Sequence, residues 1–178
     1  AAAANPSVSD IVDQHILPRF DALAVTTQTM SQVAEQDCDP TSTTLRDAYS
    51  TAFDAWISAS HLRFGPTERD DRAFALAFWP DNRAATPRTL SALMTDQDPI
   101  ANGPDTYADV SIAARGFYAL ELLLFDETLM QAGNPNYHCT LVQTIAADIA
   151  AHANAINDDW VNSYSDVLLS PGTDATHR

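Results

Sequence analysis

The sequence predicts an all-α domain, a four-helix bundle with short crossover helices between its second and third long helices. Alanine is the commonest residue and glycine is scarce, with five in 178, a composition that favours helices over sheets. Apolar residues recur at mixed spacings of three and four along four long stretches. Turn formers gather in a few clusters between those stretches. The length suits one domain, since a chain of about 150 residues buries roughly two thirds of its unfolded surface.

The first helix opens at Ser7 or Ser9 as N-cap and carries Val8, Ile11, Val12, Ile16, Phe20 and Leu23. Pro18 lies inside this pattern, so a kink is expected near Gln14 to Leu17, because proline removes a backbone donor and crowds the preceding turn. The second helix starts at Thr43 or Thr44, runs through Leu45, Tyr49, Phe53 and Trp56 to about Phe64, and stops at Gly65 and Pro66. Short helical patterns follow around Phe74 to Phe78 and after Pro87, separated by a Trp79-Pro80-Asp81 turn. A third long helix is expected over Val110 to Leu124, apolar on most of its circumference, and a fourth from about Asn136 to Trp160. Three segments result: a disordered end at 1–7, the bundle at 8–165 and a flexible tail at 166–178.

The formal charge of −15 arises from 24 acidic residues against nine basic ones, all nine of them arginine. So acidic a chain is repelled by phosphate backbones and anionic lipid, which argues against nucleic acid as a partner. No stretch reaches the ~20 apolar residues of a membrane span. Cys38 and Cys139 lie about a hundred residues apart without CxxC or zinc-finger spacing, and read equally as a disulfide or as two inert thiols. GxSxG, phosphate-loop and dinucleotide patterns are absent. The five histidines are scattered, none in an HExxH pattern, and His61 draws notice only because Arg63 is close by.

Several blocks carry a resemblance. Ala55-Trp56, Arg63-Phe64-Gly65-Pro66, Arg72, Phe78-Trp79-Pro80-Asp81 and Arg83 resemble the N-terminal blocks of the imelysin family. The run Arg115-Gly116-Phe117-Tyr118-Ala119-Leu120-Glu121 resembles the block holding its signature, a glycine, a histidine two residues later and a glutamate three beyond. Cys139 to Trp160, an alanine-rich helix opened by cysteine and closed by tryptophan, resembles a third block. Gly116 and Glu121 match the signature, whereas Tyr118 stands at the histidine position.

The resemblance implies an exported, periplasmic or cell-envelope protein of imelysin-like fold with a Cys38 to Cys139 disulfide. Family members are described as insulin-cleaving metallopeptidases, and relatives include components of iron uptake. Histidine and glutamate three apart on a helix share a face and can share a metal or a proton. Tyrosine is a rare zinc ligand, so neither a metal nor a cofactor is expected here. Glu121 remains the one candidate catalytic group. Gly116, Tyr118, Arg115, Trp56, Arg63, Arg72 and Arg83 are the candidate ligand-binding residues, with Glu121 expected to meet arginine in a cleft, since a buried carboxylate is costly unless paired.

Imelysin-like proteins usually have two helical bundles and about twice this length, so a second bundle of the same protein is an expected partner. An ending at Arg178 after a tail rich in turn formers is expected of a partial or proteolytic product. The first functional expectation is a non-catalytic protein binding a small ligand or an envelope protein, with a link to iron acquisition. A metal-dependent peptidase and a purely structural interaction domain are the alternatives.

Overall fold

The computed structural model describes residues 7–170. Ser7 caps the short helix α1, Val8–Ile11, in a reciprocal capping box with Asp10. A π-helical turn, Val12–Ile16, joins it to α2, Leu17–Gln36. The expected kink is therefore a widened turn just ahead of Pro18, which sits in the first turn of α2, where its missing amide leaves no helical hydrogen bond unmade. Helix α3, Thr43–Ala59, is capped by the Ser42 side chain, one residue before the expected start.

The crossover contains 3₁₀ turns at Gly65–Thr67 and Arg69–Asp71, then α4, Arg72–Leu76, and α5, Ala85–Asp96. The expected third long helix is much shorter than its pattern. A 3₁₀ turn, Pro99–Ala101, the short α6, Pro104–Tyr107, and a further 3₁₀ turn, Ile112–Ala114, precede α7, which spans only Gly116–Phe125. Arg115 is extended (φ −106°, ψ 160°) and Gly116 has φ +78°, so the helix cannot continue back to Val110. A 3₁₀ turn, Leu129–Gln131, leads to α8, Pro135–Asp159. A second π turn, Trp160–Tyr164, and α9, Ser165–Leu169, follow. Helix thus extends past the expected boundary at 165, while the rest of the expected tail and the end at 1–6 lie outside the described residues.

No β-strand occurs among the described residues; one isolated antiparallel bridge links Ala77 to Gly116. Helix α2 packs along both α3 and α8, and α7 packs on α8 and α5. The α3 and α7 faces meet through Tyr49, Phe53, Trp56 and Phe117, whose rings lie 5.5–6.5 Å apart. The contacts among α2, α3, α7 and α8 are compatible with a four-helix bundle. Phe20, Leu23, Leu45, Leu120, Leu123, Leu141, Ile145, Ile149 and Trp160 are fully buried between the helices, and each such side chain contributes roughly 1.5–3 kcal/mol relative to exposure. Cys38 and Cys139 are bonded, their Cα atoms 5.2 Å apart, tying the segment after α2 to the first turn of α8. No helix among the described residues is long and apolar enough to cross a membrane.

Candidate functional site

Gly116 starts α7 where the C-terminal end of α4 runs against it. A Cβ at this position would overlap the carbonyl oxygens of Ala75 and Leu76, and φ is +78°. Glycine is required on both counts, since only it takes this conformation without strain and lets two backbones come so close. The contact fixes the start of α7 and with it the direction of Tyr118 and Glu121.

Those two side chains line one cleft of about 330 Å³, together with Phe78, Trp79, Asp81, Thr86, Pro87 and Leu122. The Tyr118 ring lies between Phe53, edge-on at 6.0 Å, and Trp79, tilted at 6.2 Å. Trp79 is 68% exposed, the most exposed large apolar side chain among the described residues, and follows Phe78 in an extended segment closed by a cis Trp79–Pro80 bond. Glu121 is solvent-exposed on the rim. Burial pushes the Tyr49 hydroxyl pKa far up, with the nearby Glu121 and Tyr118 adding to the shift. Tyr49 donates to the Phe117 carbonyl at 3.3 Å and holds the first turn of α7 from below.

At the other wall, Asp81 accepts hydrogen bonds from the amides of Ala85 and Thr86 at 2.7 and 2.9 Å. It thereby caps α5, whose N-terminus begins after a left-handed Ala84. The Thr86 and Ala85 amides hold the Asp81 carboxyl below its ordinary range, as expected of a carboxylate hydrogen-bonded in its charged form. The Thr86 side chain is buried, and its hydroxyl lacks a well-formed hydrogen bond.

None of the candidate arginines pairs with Glu121, which corrects the expected cluster. Arg115 grips Asp148 on α8 through Nε and Nη2, at 3.0 and 2.5 Å, and its Nη2 lies 2.6 Å from His152 Nε2. Arginine has no acceptor, so this imidazole nitrogen accepts. Burial, opposed by Asp148 and aided by Arg115 and Arg72, keeps the His152 pKa below its usual value. Arg72 donates to Asp159 at 2.6 Å and to the Pro66 carbonyl at 3.3 Å, and Arg69 shares Asp159. Arg63 pairs with Glu68 and lies over the Phe74 ring, and Arg83 is exposed. The physical reason is that Glu121 faces water and needs no counter-charge, whereas Asp148 is buried and does. Trp56 is buried and stacks on Phe117 at 6.5 Å, a core residue beneath the site and not part of its lining.

The resemblance read from the sequence implies a metal or proton held between histidine and glutamate, and the donors present in this cleft do not fit a metal. Zinc sites draw on histidine, thiolate and carboxylate, with three protein ligands even where one position stays open. This cleft offers a phenol, one free carboxylate and a second carboxylate already bonded to backbone amides through both oxygens. No group of three histidine, cysteine, aspartate or glutamate side chains among the described residues is placed to hold an ion. The features the sequence left unnoticed are the Asp81 cap with Thr86, the Arg115 to Asp148 grip, and the approach of His15 to His61. The first has a local signal, an aspartate four residues before the helix; the other two join positions distant in sequence.

The chain is thus an all-helical protein with a glycine-started α7 and with Tyr118 and Glu121 lining one cleft. The chain matches the family model described as Imelysin over residues 16–177 and belongs to the imelysin family. Among solved structures it is similar to an imelysin-like protein from Psychrobacter arcticum, with a TM-score of 0.76 and 18% identity. That likeness covers 95% of this chain and 54% of the other, so the chain spans about half the length of that relative. No curated protein matches the chain.

Proposed function

We propose that this chain is the signature-bearing half of a cell-envelope imelysin-like protein that binds a small ligand or an envelope partner and does not catalyse. The observation that carries this reading is the cleft itself. The two signature positions still line one cavity, yet the position that should supply imidazole supplies a phenol packed between Phe53 and Trp79. An apolar wall with a carboxylate at its rim is the make-up of a recognition site, in which a few polar groups orient a mostly apolar contact. The disulfide fits an oxidising compartment such as the periplasm. The family's association with iron uptake makes iron acquisition the setting in which such binding would serve.

The exposure of Trp79 favours one further role for the same cleft, docking of a second helical bundle of the longer protein. Exposed aromatic side chains are enriched at such interfaces.

The experiment is a zinc and iron titration of the wild type, Glu121→Ala and Tyr118→His, with metal content measured on each. The expected result is no metal bound through Glu121 in the wild type. Stoichiometric metal in the wild type that disappears with Glu121→Ala would overturn the proposal and make a metal-dependent peptidase or metal carrier primary.

A further inference from the structure

Trp79 is 68% exposed, whereas the other two tryptophans, Trp56 and Trp160, are buried. Its backbone is nevertheless held on both sides. Just before it, Ala77 forms the bridge to Gly116. Just after it, the Asp81 carboxylate is tied to the Ala85 and Thr86 amides. A large indole is thus presented to solvent on a pinned segment, at the mouth of a cleft of about 330 Å³ that Phe78 and Tyr118 also line. The Trp79 and Tyr118 planes cross at 55° with centroids 6.2 Å apart, so the two rings are not stacked face to face on each other.

The charge in this cleft is one-sided. Its lining includes Glu121 and Asp81 and no arginine. Asp81 already accepts two amides, while Glu121 forms no ion pair among the described residues. Aromatic faces attract cations through the ring quadrupole, tryptophan most strongly. A free carboxylate beside such rings adds a counter-charge, and the net charge of −15 favours cations around the whole chain. A metal ion does not fit the donors, as shown above. A primary ammonium is strongly hydrated and brings three donors, for which the cleft has few free acceptors. An ammonium carrying methyl groups spreads its charge over apolar surface and leaves fewer donors unpaired, so aromatic walls replace its water at less cost. The cavity volume lies at the small end of the range for small-molecule sites.

We infer that the ligand of this cleft is a small organic cation, a methylated or quaternary ammonium, bound against Trp79 and Tyr118 with Glu121 as its counter-charge. The inference rests on the reading of the cleft as a recognition site and names the class of ligand that site takes.

The test is an NMR amide chemical-shift titration of the chain with choline and with its neutral isostere, in which carbon replaces the quaternary nitrogen, on the wild type, Trp79→Ala, Trp79→Phe and Glu121→Gln. Trp79 and Glu121 are both exposed, so these substitutions are expected to keep the fold, which circular dichroism checks. Saturable shifts at the Tyr118 and Leu122 amides are expected with choline, at an affinity at least about tenfold above that for the isostere. Trp79→Ala is expected to weaken choline binding by about tenfold, and Trp79→Phe to recover part of the loss. Glu121→Gln is expected to weaken choline binding by about fivefold and to leave the isostere unaffected. Absence of saturable choline binding, equal affinity for the two probes, or choline binding that survives Trp79→Ala overturns the inference. Equal affinity overturns it alone and leaves a recognition cleft for neutral ligands, while the zinc and iron titration decides the broader reading separately. Phosphatidylcholine vesicles that sediment the wild type but not Trp79→Ala would place the cation on a lipid headgroup; vesicles that sediment neither, with choline bound, place it on a soluble molecule.

Discussion

Gly116 holds the site together more than any ionisable residue does. Its missing side chain lets the Ala75 and Leu76 carbonyls lie against the start of α7, and its φ of +78° ends the extended segment through Arg115. Gly116→Ala is expected to cost at least about 2 kcal/mol, because the new Cβ meets backbone on two sides and the conformation itself disfavours alanine. Urea denaturation of the variant measures this. A loss below about 0.5 kcal/mol would mean that the α4 to α7 contact yields easily and does not position Tyr118. Gly116 drew notice in the sequence through the family resemblance, but the reason for a glycine there was not legible, since the colliding carbonyls come from residues about forty positions upstream.

Helix α5 forms the far wall of the cleft and depends on Asp81 for its start. Both carboxylate oxygens take backbone amides, and the Asp81 pKa is lowered by those bonds. For a carboxyl whose folded-state pKa lies below its unfolded value, the stabilisation is present above the unfolded value and is lost as pH falls through the folded one. The first turn of α5 is thus expected to stay protected at pH values where an ordinary aspartate is already half protonated, and to fray only below that. Hydrogen exchange at the Ala85 and Thr86 amides reports it. In Asp81→Ala the same amides should exchange faster at every pH above the folded-state pKa of Asp81 and converge with the wild type below it, while those of α8 stay unchanged. Equal protection in both proteins above that pKa would show that α5 starts without this cap. Sequence reading assigned Asp81 to a turn and found the short helix after it, which is correct at the level of elements. It could not show that the turn's carboxylate closes the wall of a site.

At the scale of the whole molecule, the disulfide closes a loop spanning most of the described chain, with a sequence separation of 101 between Cys38 and Cys139. In the chain-entropy account a loop of about 100 residues is stabilised by about 4–5 kcal/mol relative to the open chain. The paired substitution of Cys38→Ser and Cys139→Ser is expected to lower unfolding free energy by that order without altering the helical spectrum, and reducing agent should have the same effect on the wild type. A loss below about 1 kcal/mol would mean that the open chain keeps these ends together by other means. The loop includes α3, the crossover and α7, so the cleft lies wholly inside it. The bond is compatible with an exported protein, in keeping with the proposed envelope location.

The all-helical class, the long helices at either end of the chain and the hydrophobic positions that fill the core were determined by the sequence alone. Helical periodicity is a local property, and residues three and four apart share a face wherever the helix packs. Tyr118 and Glu121, three apart, were expected on one helix face for the same reason, and both line the same cleft. Tertiary structure decided the rest. The run from Val110 to Leu124 has the pattern of one long helix, yet a backbone reversal at Arg115 and Gly116, imposed by the chain after α4, cuts it to Gly116–Phe125. Arg115 looked like a partner for Glu121 six residues on, but the buried Asp148 on α8 takes it because an unpaired carboxylate there costs far more than one in water. His15 and His61 carried no signal at all, since nothing in the local pattern of either states that a π turn and a helix end will bring two imidazoles to 2.9 Å.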